Sequence, residues 1–380
     1  MILNDPTSRI QSIIDGAVKE HEAVVVGLIS PNVAGSPKLL YAGASTLWNT
    51  QHKPLTLDGD TPFLIASITK TFTSAVQYLC QQNYDGTLGE VIKVPNYELP
   101  QALSSLPILD LANYSPGFPT DNKGAWWPKG TADSLQSLVT YLSQSSNLPQ
   151  NNYGTCYSYS NFGWGLLALA ASGVTSFSDD VLGEWAQQIG VLSTDIGLNN
   201  TEPYASSIDP NLPVGYNSDG KRLPVDFDYG QKGAMLFGAG DLVSTGNDMT
   251  TWLSFNMGIP DPNLTLLKLQ QGQSWTMPNQ CPPDSSKRVP TVGLAWFFHN
   301  LNIDGQQVTF LAKDGGLAGF SSWMGFQAWV EAGVASKVGA FVLTNTNRGQ
   351  PLGMEIIQIL LGATPEDLKL EPHYVTPDPV

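Results

Sequence analysis

The chain has few charged side chains, and the basic ones are scarcer than the acidic ones. Of its 380 residues, 18 are Lys or Arg and 33 are Asp or Glu, which gives a formal net charge of −15 at pH 7. Phosphate backbones and anionic lipids repel a protein with this excess of negative charge. We therefore expect neither nucleic acid nor an anionic membrane surface as a partner.

Long apolar runs are missing as well. No run approaches the roughly 18 residues of a membrane-spanning helix, and the first ten residues, MILNDPTSRI, lack the basic-then-apolar order of a signal peptide. Hydrophobic residues still make up 42% of the chain, enough for a sizeable buried core. The sequence predicts a folded protein without a membrane span.

Cysteine and histidine, the usual ligands of zinc, are rare. The three cysteines, Cys80, Cys156 and Cys281, contain no C-x-x-C pair, and one pair can form a disulfide although nothing requires it. The four histidines stand singly, with no H-x-H or H-x-x-x-H spacing. We predict no metal site and no cofactor.

Both ends of the chain show strands next to a helix. Apolar residues recur at helical spacing in 6–21, and the short runs 23–30 and 38–45 favour a hairpin. Towards the other end, a series of antiparallel strands is predicted at 291–300, 307–315, 321–329 and 337–346, followed by a helix at 351–362. The simplest assembly is one antiparallel sheet built from both termini and covered by the terminal helices.

The middle of the chain is mainly helical. It contains helical stretches at 131–144, 163–172 and 178–190 between loops rich in Pro, Gly and Asn. We predict a mixed α/β (α+β) fold with a discontinuous sheet lobe, 1–75 and 285–380, and a helical lobe, 76–284.

Ser67 and Lys70 stand at the start of a predicted helix. The apolar residues after them follow one helical face: Phe72, Ala75, Val76, Leu79 and Cys80. Side chains three apart are neighbours on a helix, and a helix N-terminus favours the negative charge of an alkoxide or oxyanion. The pair therefore suits a nucleophile and its base. The alternative is an ordinary helix start, since Ser-x-x-Lys also occurs at Ser218 and Lys221, in a turn.

Two further segments carry candidate polar groups. Tyr159 and Asn161 precede an apolar helix. A buried phenol near two ammonium groups is expected to have a lowered pKa and to transfer protons; the alternative is packing by Tyr159 and helix capping by Asn161. Lys313 ends a predicted strand and is followed by Asp314, Gly315 and Gly316. Glycines at a strand edge allow a substrate backbone to approach; the alternative is a hairpin turn with a surface lysine.

The order Ser-x-x-Lys, Tyr-x-Asn and Lys-x-Gly resembles that of the penicillin-recognising serine hydrolases, and within them the class C beta-lactamase-like branch. The segments DLANYSPGFP, GGLAGFSSWMGF and FVLTNTN resemble the same branch. The likeness spans roughly residues 10–360, and it implies an active site in the cleft between the sheet lobe and the helical lobe.

This resemblance implies roles for individual residues. Ser67 would be the nucleophile, and Lys70 and Tyr159 would share the acid and base work. Lys313 would support the Tyr159 phenolate, and Asn161 would orient the acyl amide. The backbone N–H groups of Ser67 and Gly316 would form the oxyanion hole, with Gly315 beside them on the strand. Asn345 would help to hold a substrate carboxylate.

Asp314 departs from the family pattern, which is usually Lys-Thr-Gly, or His-x-Gly in some peptidases and esterases. Its charge repels a substrate carboxylate, partly offset by Lys313 and by Arg348 if that side chain points into the cleft. We expect a serine hydrolase that acts on amides or esters of a small molecule or peptide, as a peptidase or esterase, and is weak on carboxylate-bearing β-lactams.

Two alternatives remain open, an acyltransferase on the same scaffold and a non-catalytic binding or scaffold protein. The resemblance and the Lys-poor composition favour a secreted or periplasmic location, with a cytoplasmic one as the alternative. The sequence does not indicate the oligomeric state.

Overall fold

The computed structural model describes residues 5–43, 47–81, 84–93, 98–118, 148–149, 153–172, 181–204, 211–223, 237–259, 264–281, 288–303, 305–327 and 337–363. The helices are α1 Thr7–Ala17, α2 Thr69–Gln81, α3 Leu88–Val91, α4 Gln101–Ser104, α5 Ile108–Ala112, α6 Asn161–Ala171, α7 Val181–Ile196, α8 Phe237–Gly240, α9 Gly246–Asn256, α10 Thr265–Gly272 and α11 Gly349–Leu360. The strands are β1 Ala23–Ile29, β2 Lys38–Gly43, β3 Pro62–Leu64, β4 Cys156–Tyr157, β5 Glu202–Pro203, β6 Leu242–Thr245, β7 Trp275–Thr276, β8 Asn279–Gln280, β9 Thr291–Val292, β10 Phe297–Ile303, β11 Gln306–Leu317, β12 Phe320–Gln327 and β13 Gly339–Thr344.

The main sheet has eight strands in the order β2-β1-β13-β12-β11-β10-β9-β7, and every pair in it is antiparallel. The N-terminal hairpin pairs with the last strand, with Val26 opposite Val342. The predicted fold class, an antiparallel sheet built from both termini, is confirmed. The central strands β1 and β13 are buried along their whole length, because both faces of the sheet are covered. This explains their continuous apolar sequences.

The terminal helices cover one face of the sheet. Ile10 and Ile14 of α1 are fully buried there, and burying such a side chain stabilises the fold by about 1.5–3 kcal/mol. In α11, a Cβ at Gly353 would lie 2.2–2.5 Å from atoms of the Trp323 ring. Only glycine therefore allows α11 to pack this closely on β12.

Helices of the middle segment cover the opposite face. The Phe72 ring of α2 stacks on the Trp252 ring of α9 with 3.9 Å between ring centres. A smaller sheet, β3-β6-β5, lies beside them. A disulfide joins Cys156 and Cys281, next to the parallel pair of β4 and β8. Within the described residues, no helix is both long and apolar enough to cross a membrane.

Some local predictions differ from the structure, and others are not tested by it. Of the residues on the predicted helical face of α2, Phe72, Ala75 and Val76 are buried, whereas Leu79 is 37% exposed. Helix α2 begins at Thr69, and Ser67 lies in a preceding 3₁₀ turn. The predicted helix at 131–144 lies outside the described residues. The division into two lobes stays a prediction.

Candidate active site

The Ser67 hydroxyl lies at the start of α2 in a tight turn. Strand β3 ends at Leu64, and Ala66–Ile68 forms a single 3₁₀ turn that leads into the helix. Ala66 has a φ of 46°, a left-handed conformation that is unfavourable for alanine. Ser67 is partly exposed, whereas its neighbours in this stretch of the chain are buried. The turn thus presents one hydroxyl at the surface of the core.

Lys70 points from α2 towards this hydroxyl. Its side chain is fully buried, and Nζ donates to Ser67 Oγ (3.0 Å), Asn161 Oδ1 (2.8 Å) and the Ala239 carbonyl (2.6 Å). Burying an unpaired ammonium costs several kcal/mol, and three acceptors offset that cost here. Lys70 is therefore fixed beside Ser67 rather than free to seek solvent.

Tyr159 approaches Ser67 from the other side. Its hydroxyl donates to Ser67 Oγ at 2.9 Å, across 92 residues of sequence. The loop that carries it follows β4 and the disulfide at Cys156. Ser160 caps α6 by accepting from Gly163 N at 2.9 Å. Asn161 is thus the first residue of the helix and not its cap, and its amide faces Lys70.

A second tyrosine supports the first. The Tyr114 ring stacks on the Tyr159 ring, with 5.5 Å between centres and 17° between planes. Its own hydroxyl donates to the Ala295 carbonyl at 2.7 Å. Tyr114 is fully buried, so its ring packs against the Tyr159 ring in a fixed position.

The pKa of Tyr159 is raised, which corrects the expectation of a lowered value. Burial of the phenol is the largest cause; the Lys313 ammonium lowers the pKa and the Asp314 carboxylate raises it further. Burial was expected, but its effect on the pKa is larger than the lowering by the Lys313 ammonium, and Asp314 adds to it. Tyr159 therefore carries its proton at neutral pH in the resting site.

Lys313 is the second lysine next to the Tyr159 ring. It is fully buried, and Nζ lies 5.5 Å from the centre of the Tyr159 ring and 5.3 Å from that of Phe297. Nζ donates to the Asp314 carbonyl at 2.6 Å and lies 3.4 Å from Asp314 Oδ1. Burial lowers the pKa of Lys313, but Tyr159 and Asp314 outweigh it and the pKa is raised. Lys313 is an ammonium at neutral pH.

Strand β11 offers a strand edge next to Ser67. Strand β10 pairs with it only as far as Ala312, whereas β12 continues to Leu317. In the described part of the chain, 313–317 therefore has no strand partner on one side. A Cβ at Gly315 would lie 2.5 Å from the Ile65 carbonyl oxygen and 2.7 Å from Ser67 N. Glycine at 315 thus lets the strand lie directly against the nucleophile turn, with the exposed Gly316 next in line.

Two residues that were expected near a substrate carboxylate have other partners. The Asn345 amide donates to the carbonyls of His21 (3.0 Å) and Val214 (2.8 Å), and its oxygen accepts from Ala23 N (2.7 Å). Arg348 donates to the Ala17 carbonyl at 2.6 Å, at the end of α1. The predicted carboxylate contact of Asn345 stays a prediction. Its hydrogen bonds tie the segment after β13 to distant backbone, which a single sequence does not show.

Three participants were missed by sequence reasoning. The Ala239 carbonyl accepts from Lys70, and a backbone group leaves no signal in the sequence. Tyr114 lies in the segment DLANYSPGFP, whose sequence pattern does not indicate a contact with Tyr159. Ser322 lies on β12 below Ser67 and donates to the Ile65 carbonyl at 2.6 Å.

Comparison with known proteins identifies the family of this chain. A family model described as Beta-lactamase matches residues 35–364, whereas the search of curated proteins returned no significant match. A beta-lactamase/D-alanine carboxypeptidase from Pseudomonas syringae is similar in structure, with a TM-score of 0.68 at 17% identity, covering 94% of this chain and 98% of that one.

Two other solved structures show the same likeness. A D-alanine carboxypeptidase from Burkholderia cenocepacia has a TM-score of 0.65 at 20% identity, covering 94% of this chain and 98% of its own. An octameric penicillin-binding protein homologue from Pyrococcus abyssi has a TM-score of 0.67 at 16% identity, covering 95% of this chain and 78% of its own. At these identities the likeness to solved structures shows a shared fold.

Proposed function

Because the chain belongs to the beta-lactamase family and is a serine hydrolase of that family, we propose that it cleaves amides or esters through an acyl-enzyme on Ser67. One observation carries the proposal: Ser67 Oγ lies 3.0 Å from Lys70 Nζ and 2.9 Å from the Tyr159 hydroxyl. A nucleophile needs a base within hydrogen-bond reach, and these two groups provide it.

In the proposed acylation, Ser67 Oγ attacks the substrate carbonyl carbon and its proton passes to the pair of Lys70 and Tyr159. The carbonyl π electrons move to the oxygen, which the N–H groups of Ser67 and Gly316 stabilise. When the tetrahedral intermediate collapses, the leaving group takes the proton through Tyr159. Water then attacks the acyl-enzyme with the same groups acting in reverse.

The active form of this pair holds one proton fewer than the resting form. Lys70 Nζ donates to three acceptors, as many as an ammonium has protons, and burial holds Tyr159 as a phenol. Loss of one proton gives either an amine with a phenol or an ammonium with a phenolate. These two arrangements titrate together, so one apparent pKa describes the pair. The base is therefore assigned to the pair and not to either residue alone.

The surroundings favour a substrate without a carboxylate at this edge. Asp314 replaces the threonine of the family pattern, and its carboxylate lies 3.4 Å from Lys313 Nζ. Asn345 and Arg348 are bound to backbone carbonyls. Of the groups considered for a carboxylate, only Lys313 remains, and Asp314 shares it. We therefore expect neutral esters and amides to be better substrates than penicillins.

The disulfide supports a location outside the reducing cytosol. Disulfides persist in secreted and periplasmic proteins and are rare in the cytosol, and Cys156–Cys281 is formed here. We propose secretion or export to the periplasm.

The test is a turnover panel on purified protein. Wild type and Ser67→Ala are assayed with p-nitrophenyl esters, aminoacyl p-nitroanilides and nitrocefin. Turnover of neutral esters or amides that Ser67→Ala lacks supports the proposal. Wild type without turnover of any of them, or Ser67→Ala with equal turnover, contradicts it. Adding an alcohol or amine acceptor and measuring the transfer product tests for acyltransfer.

A further inference from the structure

The turn that carries Ser67 is tied to the main sheet by one side chain. Ser322 on β12 is fully buried, and its hydroxyl donates to the Ile65 carbonyl at 2.6 Å, across 257 residues of sequence. Ile65 lies two residues before Ser67. The hydrogen bond therefore joins the middle of the sheet to the start of the nucleophile turn.

This turn needs external support. Ala66, between Ile65 and Ser67, has a φ of 46°, which a non-glycine residue holds only when its surroundings enforce it. Ile65 is bonded on both sides, since its N–H donates to the Leu242 carbonyl at 3.0 Å and its carbonyl also accepts from Ile68 N at 3.1 Å. Ser322 adds the bond that fixes this carbonyl relative to the sheet.

Strand β11 meets the turn at the same point. Gly315 lies opposite Ser322 in the register of β11 and β12. A Cβ at Gly315 would lie 2.5 Å from the Ile65 oxygen and 2.7 Å from both Ser67 N and Ser322 Oγ. Because Gly315 has no side chain, the Ser322 hydroxyl and the Ser67 amide can both lie next to it. The positions of these three residues therefore depend on one another.

We infer that Ser322 is a positioning residue for the oxyanion hole. Its hydroxyl holds the Ser67 turn against β11, so that the N–H groups of Ser67 and Gly316 point to one oxygen. This inference rests on the proposed acyl-enzyme function. Displacement by about 1 Å at a reacting centre can cost about 10²-fold in rate, so one buried hydrogen bond below the turn is enough to matter.

The experiment compares an ester with its matching thionoester. The C=S sulfur is a larger and weaker hydrogen-bond acceptor than the carbonyl oxygen, so an aligned oxyanion hole prefers the ester. We expect Ser322→Ala to lower the ratio of kcat/KM for ester over thionoester at least tenfold. A general loss of stability or of folded protein changes both rates equally and leaves this ratio unchanged.

Ser321→Ala is the matched control. Ser321 is the preceding residue on β12, is also buried, and accepts a hydrogen bond from Gly349 N at 3.1 Å, at the start of α11. The Ser321→Ala variant loses the same kind of hydroxyl at a place away from the Ser67 turn. We therefore expect its ratio of kcat/KM for ester over thionoester to equal that of wild type. Ser322→Cys, which keeps the size but is a weak donor, is used if Ser322→Ala does not fold.

The outcomes separate the two proposals. Ester turnover that persists in Ser67→Ala overturns the proposed function itself. If turnover depends on Ser67 but the ratio of the folded Ser322 variant stays within about twofold of wild type, the role of Ser322 is overturned alone. An equal fall of the ratio in Ser321→Ala overturns it as well. A fall confined to the Ser322 variants supports it.

Discussion

Lys313 Nζ lies 5.5 Å from the centre of the Tyr159 ring, and Asp314 lies beside the same lysine. These two charges act on Tyr159 in opposite directions. The ammonium lowers the pKa of the phenol, and the carboxylate raises it. The pH profile of the reaction should report both charges.

Lys313→Met should move the rising limb of kcat/KM to higher pH. The active form has lost one proton from the pair of Lys70 and Tyr159, and removing the ammonium makes that loss harder. The measurement is the pH dependence of kcat/KM for a neutral p-nitrophenyl ester, whose charge does not change with pH.

Asp314→Asn should move the same limb to lower pH, because the carboxylate that raises the pKa of Tyr159 is gone. The two variants are each other's control, since both remove one charge from adjacent residues. Shifts in the same direction, or no shift in either variant, would show that Tyr159 is not part of the titrating pair.

Tyr159→Phe should impair amide cleavage more than ester cleavage. A p-nitrophenolate leaves without a proton, whereas an amide nitrogen must be protonated as it leaves. General acid catalysis is worth about 10²–10⁴-fold, so we expect a difference of that order between an amide and an activated ester. Rates on both substrates are compared with those of wild type. Equal losses would assign Tyr159 a structural role.

Asp314→Thr should improve hydrolysis of benzylpenicillin relative to a neutral ester. Two like charges about 4 Å apart repel by roughly 4 kcal/mol at an effective dielectric of 20, and the ion pair with Lys313 offsets part of this repulsion. We therefore expect a gain of about tenfold, roughly 1.4 kcal/mol. Asp314→Asn serves as the control that removes the charge without supplying a hydroxyl. Wild-type efficiency above about 10⁵ M⁻¹s⁻¹ on benzylpenicillin would contradict the charge argument.

Cys156→Ser should lower the free energy of unfolding by about 2–5 kcal/mol, because the disulfide closes a segment of 125 residues in the unfolded chain. Activity should fall as well, since Tyr159 follows Cys156 by three residues. Chemical denaturation and ester turnover measure the two effects. Cys80→Ser is the control, because Cys80 lies outside this disulfide. Unchanged stability in Cys156→Ser would show that the bond does not form in solution.

The sheet could be predicted because its apolar strands and terminal helices are local patterns. The runs around Val26 and Val342 stand at opposite ends of the chain and pair as expected. The order of the three polar motifs likewise indicated which side chains meet, and the structure brings Ser67, Lys70 and Tyr159 together.

The remaining features depend on tertiary contacts that a single sequence does not encode locally. The partners of Asn345 are backbone groups of two separate segments, with His21 and Ala23 in one and Val214 in the other. The pKa of Tyr159 depends on burial between Tyr114 and Lys313. The hydrogen bond of Ser322 to Ile65 spans 257 residues. In the sequence, nothing distinguishes Ser322 from another serine in a strand.

The central claim is that Ser67 is the nucleophile, and covalent labelling tests it most directly. Wild type and Ser67→Ala are treated with a fluorophosphonate probe, and the modified peptide is identified by mass spectrometry. The account predicts one adduct on Ser67 in wild type, loss of ester turnover in proportion to labelling, and no adduct in Ser67→Ala. Folded wild type that turns over esters without an adduct on Ser67, or an equal adduct in Ser67→Ala, would contradict the account.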